Sequence, residues 1–459
     1  ASRNTMRRVP VVAIRLPSRS GNSPFEPRPC TPRPCVEPCT CCASVFYGWQ
    51  ARARRAAVTS CWATALTAIG FDGFAGASNP GKLSAASDRV DAGVLVFMPY
   101  RRIERTGADN PVYNFSTTSD NGVFFLPELG IARHLNDRLS WGVALYGNGG
   151  LNTAYRGTTG VSGSSANPAA CGQQPGNFLY GCGEVGVDLS QVLIAPTLAW
   201  RIAPKQSIGI APLIAYQRMR VYGLQALEPL SEHPDDVTNR GYDQAFGGGV
   251  RLGWWGTIAP GLSAGAAYAT RVYMQKFRRY QGLFADGGSF DIPENYSIGL
   301  GWTPAPRWLF GLDVQRISYH QVAALGNGLL NSLQNPQARP LGSADGSGLH
   351  WRNQINYRAG MEYAVRPGLK LRAGFAYGRR PGDESADSVS LNLLTPNPIE
   401  NLTAGFSWTP KGMSGEFHFA YGRYLSATYK GPSAIAGAQA TESVTAFVNT
   451  FWVGYSWHL

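Results

Sequence analysis

Short turns and long polar connections alternate without a break from residue 89 to the end of the chain. The short ones are Leu135-Asn-Asp137, Pro204-Lys205, Gly256-Thr-Ile-Ala-Pro-Gly261, Pro304-Ala-Pro306, Arg366-Pro-Gly368 and Pro410-Lys-Gly412. The long ones cover 100–122, 148–186, 223–240, 275–290, 323–350, 379–398 and 429–442. Six short and seven long connections join fourteen strands, and an even number leaves both ends of the sheet on the same side. Membrane barrels have this asymmetry, with turns facing the periplasm and loops outside. A soluble sandwich connects its strands irregularly, and a propeller repeats about every 40–45 residues. No such repeat is present.

Between the connections, strands are expected at 89–99, 123–134, 138–147, 187–203, 206–222, 241–256, 260–274, 291–304, 307–322, 351–365, 368–378, 399–409, 414–428 and 443–459. Several alternate openly. Leu369, Leu371, Ala373, Phe375 and Tyr377 oppose Lys370, Arg372, Gly374 and Ala376, as a two-residue period demands. Charged residues make up only 15% of the chain, against about 25% in soluble proteins. No apolar run reaches the ~18 residues of a membrane helix, so helical spans are excluded. Trp254, Trp255, Trp302, Trp308 and Trp408 stand at strand ends, where interfacial girdles fall. The fold class read from this is all-β, a 14-stranded antiparallel transmembrane β-barrel over 89–459.

The first 76 residues read differently. Eight prolines between Pro10 and Pro38 bar helix and ladder alike. Residues 1 to 60 hold ten of the 41 basic residues and two of the 29 acids, so +8 of the net +12 is local to them. The rest of the chain is nearly balanced, which argues against a nucleic-acid partner. Six of the eight cysteines lie here too, without the paired spacing and histidines of a zinc site, so no metal is expected. We read 1–76 as an atypical Arg/Pro/Cys-rich extension, either disordered or added by a wrong start. A cryptic export signal over Arg52–Ala77 is the other reading.

An apolar ligand needs an apolar passage. The second face of the first strand carries Leu95 and Phe97, and the second strand adds Phe124 and Leu126 beside Glu128. A carboxylate on that ligand would need a lumenal cation. Parity places Arg251, Arg271 and Arg372 inward for that role, with structural ion pairs, for example to Asp313 or Glu362, as the alternative. Gly147-Asn-Gly-Gly150 ends the third strand, and glycine there marks a kink, making Gly149 and Gly150 gate candidates. Arg218 and Arg220 share parity with Tyr216 near the outer rim, where they suit lipopolysaccharide phosphates better than substrate. In the long external loop, Cys171 and Cys182 are expected to form a disulfide. No H-E-x-x-H occurs, and His418 is the histidine to check for a barrel enzyme.

The ordered set of residues resembles the FadL/TodX-like outer-membrane transporters. Asn79-Pro80-Gly81 is similar to that family's Asn-Pro-Ala before its first strand. Pro127, Asn136-Asp137, Trp141-Gly142 and Gly150-Leu151-Asn-Thr153 resemble its second and third strands. Tyr216-Gln-Arg-Met-Arg220, Asp291-Ile-Pro-Glu-Asn-Tyr296 and Asp313-Val-Gln-Arg-Ile317 follow in order. The resemblance covers about 79 to 459. It implies a barrel plugged by an N-terminal hatch, of which 77–88 is a remnant with Asn79 and Pro80 as gate residues. It also implies passive uptake, without cofactor or catalysis, of long-chain fatty acids or aromatic hydrocarbons, leaving sideways through a kinked third strand. A monomer in the bacterial outer membrane is expected, with lipid and lipopolysaccharide around it. A general porin-like barrel without a ligand site is the alternative function.

Overall fold

The computed structural model describes residues 66–156, 174–395 and 400–459. Fourteen antiparallel strands close into one barrel. They are β1 (Arg89–Thr106), β2 (Phe124–His134), β3 (Leu139–Tyr155), β4 (Val185–Ala203) and β5 (Gln206–Tyr222). Next come β6 (Asp243–Ala259), β7 (Leu262–Ala269), β8 (Asn295–Ala305), β9 (Trp308–Ile317) and β10 (Gln354–Arg366). The last are β11 (Leu369–Gly378), β12 (Asn401–Trp408), β13 (Glu416–Pro432) and β14 (Thr441–His458). Each answers one expected strand. Two short strands, Phe115–Thr118 and Tyr273–Met274, sit on β1 and β6. Closure is complete: all 18 residues of β1 pair with β14, from Arg89↔His458 to Thr106↔Thr441.

The wall follows the two-residue period. On β5, Ser207, Ala211, Leu213, Ala215, Gln217 and Met219 are buried, while Ile208, Ile210 and Ile214 between them are exposed. With Ile298, Leu300, Leu312 and Leu371 they form the outward apolar band that lipid tails cover. Aromatic rings edge it beside the short turns: Trp308 stacks on Phe310 and lies tilted against Tyr363, and Trp408 meets Phe417. Gly261, Gly368 and Gly412 close turns at φ of +70°, +75° and +82°, which only glycine adopts without strain.

The lumen holds a plug. The sequence reading divides the chain at Ala77, but in the structure Leu66–Gly76 runs continuously into 77–88 inside the barrel. A short helix (Ala75–Ser78) leads into a 3-10 turn (Pro80–Ala85), with Asn79 between them. Asn79 is fully buried; its Oδ1 accepts from Gly81 N, and its Nδ2 donates to Thr67 O and to Trp254 O on β6. Pro80 begins the 3-10 turn, where its missing N–H costs nothing. Lys82, also fully buried, folds back to donate to Ile69 O and Gly70 O at 2.9 Å each.

Polar groups from opposite sides of the barrel fasten this segment. Asp313 on β9 accepts from Leu66 N, Thr67 N and Thr67 Oγ1 at 2.6–2.9 Å. Asp91 on β1 accepts from Gly73 N at 2.7 Å, and Ser207 on β5 donates to Gly81 O at 2.7 Å. Glycines on the wall make room for it. A β-carbon on Gly130 would stand 2.7 Å from the Gly73 carbonyl carbon, and one on Gly253 would overlap Asn79 and Pro80. Substituting Gly253 by leucine should therefore expel the plug. We expect a higher single-channel conductance than wild type in planar bilayers, with the barrel still migrating as a folded species before heating.

Candidate functional site

The long connections fold over the outer end of the barrel and knit to one another. Leu341 N donates to Leu230 O and Glu232 N to Leu341 O, joining two loops. Asp387 accepts from Leu330 N, and Trp351 Nε1 donates to Asn392 Oδ1 at 2.8 Å. Trp351, Phe277 and Tyr280 are wholly buried beneath this canopy. Backbone groups in irregular loops need such partners, because burial without them is costly.

Under the canopy lies an apolar cavity of about 700 Å³, its mouth included. The upper wall strands supply Leu151, Val187, Met219 and Val221. The loops supply Leu224, Leu227, Leu283, Phe284, Phe290, Leu349 and Leu394, among others. Its few polar side chains are committed elsewhere. Ser347 Oγ donates to Leu329 O and accepts from Ser332 N, Ser332 Oγ accepts from Ser347 N, and Thr395 Oγ1 donates to Asn392 Oδ1. Among the described residues, no charged side chain lines it. Such a cavity favours the hydrocarbon part of a ligand and penalises any unpaired charge.

Phe290 also lines a second pocket, of about 470 Å³, reaching down to Asn148 and Gln191. Asn148 is the extra residue of a bulge: the β3·β4 register slips between Gly147 and Gly149, and Asn148 Nδ2 donates to Gln191 Oε1. The third strand does not end at Gly147, as the glycines suggested; it bends there and continues to Tyr155. Beside the bend the wall is open. β2 and β3 pair only from His134↔Ser140 to Leu129↔Leu145, whereas β2 stays on β1 as far as Phe97↔Phe124. Above the gap, Ser119 and Asp120 bond the backbone of Ala154, and Arg101, buried, donates to Asn121 O and Asn152 O. The result is a window between Phe124–Glu128 on one side and Tyr146–Leu151 on the other.

The residues expected to bind ligand fall into two groups. Leu95 faces Leu126, and Phe97 faces Phe124 with ring centroids 6.4 Å apart, on the lumenal face beside the window. Leu95 packs on Trp452, whose Nε1 donates to Glu128 Oε2 at 3.0 Å. The three arginines are already engaged. Arg251 donates to Gly76 O at 2.8 Å and to the Tyr146 hydroxyl at 3.2 Å, tying the plug to the strand beside the window. Arg271 pairs with Asp291 at 2.6 Å, and Arg372 with Glu362 at 2.7 Å. Gly149 and Gly150 lie in β3 directly after the bulge, and Asn79 and Pro80 lie in the plug. Cys182 is buried and disulfide-bonded; Cys171 lies outside the described residues. His418 faces the lumen, with Nδ1 2.7 Å from Ser407 Oγ and Nε2 2.6 Å from Ser456 Oγ. Nothing in the sequence marks the cavity, because most of its leucines sit in loops without periodicity.

A sequence family described as outer membrane protein transport protein (OMPP1/FadL/TodX) matches residues 177–411. No curated protein matches the sequence. Among solved structures, the toluene transporter TodX of P. putida superposes with TM-score 0.61 at 15% identity, covering 87% of this chain and 97% of that one. A Pseudomonas aeruginosa FadL homologue gives TM-score 0.61 at 13% identity, with 90% and 100% covered. The Ralstonia pickettii toluene transporter TbuX gives 0.55 at 15%, with 86% and 97% covered. A carboxylate placed in the apolar cavity tests its character. Leu283→Asp should lower binding of an aliphatic fluorescent probe at least about tenfold, since an unpaired charge there costs more than 1.4 kcal/mol. Fluorescence titration of the detergent-solubilised protein measures it.

Proposed function

Since this chain belongs to the OMPP1/FadL/TodX family of outer membrane transport proteins, we propose that it takes up small hydrophobic molecules passively, through the canopy cavity and out sideways through the window. One observation carries the reading: the β2·β3 ladder stops at Leu129↔Leu145, below a cavity lined mostly by apolar side chains. A ligand would settle under the canopy by the hydrophobic effect alone. From there it would pass Phe290 into the pocket at Asn148 and reach the gap beside the bulge. Leu95, Phe97, Phe124 and Leu126 would then line its exit, and the exposed Phe125 faces the lipid it would enter.

The plug supports a lateral route over a straight one. Asn79 and Asp313 hold it across the lumen and Lys82 ties it to itself, all with buried hydrogen bonds, and a buried group left without its partner costs about 1–3 kcal/mol. Arg251, Arg271 and Arg372 act in this reading as struts for plug, loop and wall. His418, bonded on both ring nitrogens to serines inside the lumen, gives no exposed catalytic set on the outer wall, and we assign no catalysis. The solved structures named above are two toluene transporters and a FadL homologue; a hydrocarbon fits a cavity of this chemistry whole, and a long-chain fatty acid fits it by its hydrocarbon tail. We take the working unit to be a monomer among lipid and lipopolysaccharide.

Deleting Asn148 tests the route. Without the bulge β3 can straighten and zip to β2, so uptake of a hydrophobic probe into proteoliposomes should fall to the protein-free rate while cavity binding persists. Unchanged uptake by a folded deletion variant would rule the window out. A large, unselective ionic conductance in the wild type would favour the porin-like alternative.

A further inference from the structure

Three neighbouring strands change from apolar to polar on their outer face at a single level. Val192, Tyr216 and Phe246 lie side by side on β4, β5 and β6, and the next outward residues toward the loops are Ser190, Arg218 and Gln244, also in register. Below the step, β5 presents Ile214, Ile210 and Ile208, between 43% and 51% exposed. Above it, Arg220 stands opposite Asp188. Same-face residues on a strand are about 6.8 Å apart. Arg218 and Arg220 therefore occupy the first two positions beyond the hydrocarbon band, the depth of lipid headgroups.

Neither guanidinium has a carboxylate partner among the described residues, in contrast to Arg352 with Asp383 or Arg380 with Glu384. Instead both stack on Tyr242, with Cζ 4.1 Å and 4.9 Å from the ring centroid, and Arg220 also lies 4.9 Å from Tyr222. Arg220 Nε is buried without an acceptor. Asp188, the acid within the patch, accepts from the Tyr242 hydroxyl and fixes that ring. The Tyr242 ring holds the two cations beside each other, and a guanidinium fork suits bidentate bonding to a phosphate.

We propose that Arg218 and Arg220, held on Tyr242, bind a phosphate of the lipid A part of lipopolysaccharide in the outer leaflet. The proposal rests on the outer-membrane location and is independent of what passes through the cavity. Native mass spectrometry of the full chain in detergent, titrated with diphosphoryl lipid A and with lipid A stripped of phosphate, tests it. Wild type should retain the diphosphoryl form at least about tenfold more strongly, as expected for charge-assisted bonds. The R218Q/R220Q double variant and Tyr242→Ala should each lose that preference while keeping heat-modifiable migration. R218K/R220K should keep part of it, because the charge stays and the fork goes. Equal retention of both lipids by wild type, or an undiminished preference in R218Q/R220Q, would overturn the proposal. Uptake of a hydrophobic probe, read after reconstituting the same proteins into proteoliposomes, should not change in the variants; its absence from wild type counts against the transport reading alone.

Discussion

A backbone in hydrocarbon finds no water, so every N–H and C=O at membrane depth must meet another strand. This constraint shapes the whole molecule. It demands the full-length seam between β1 and β14, and it makes the short β2·β3 ladder stand out. Six residue pairs hold that seam where its neighbours run longer. The unpaired edge is tolerated because one bulge turns β3 away and Arg101 braces the top of the gap with two main-chain carbonyls. An opening that would be a defect elsewhere is, in the function we propose, a route beneath an apolar cavity.

The plug meets the same constraint from inside. Its chain has little regular structure, so its amides and carbonyls must find side chains on the wall, and they do: Asp313, Asp91, Ser207 and Arg251 each bond its backbone. Small wall residues bring the two backbones close enough for this, as at Gly73 and Gly130. Charges that could have served a ligand are consumed in the process. Arg251 shows the trade most clearly, since one guanidinium nitrogen joins the plug at Gly76 to Tyr146 beside the window.

Much of the barrel was legible in the sequence. Strand number, turn positions and the lumenal side of Leu95, Phe97, Arg251 and Arg372 follow from a two-residue period, which is local and survives without tertiary information. The end of β3 was not, because glycine weakens a strand pattern whether the chain bends or stops. Parity offers Asp313 as one example of an ion-pair partner for a lumenal arginine; in the structure it takes the plug's amides at Leu66 and Thr67, a contact spanning more than 240 residues that no local pattern encodes. Cavity residues such as Leu227, Leu283 and Leu349 were invisible for the same reason: each is one leucine in an irregular loop.

The sequence by itself determined that the chain is a fourteen-stranded barrel with its turns at one end and its loops at the other, because the alternation of side chains across a wall between lipid and lumen is written residue by residue. Only the tertiary structure decided where the wall is open, what fills the lumen and which arginines are free. Those are questions of which distant groups meet, and a hydrogen bond or a cavity exists only once the ring has closed and brought them together.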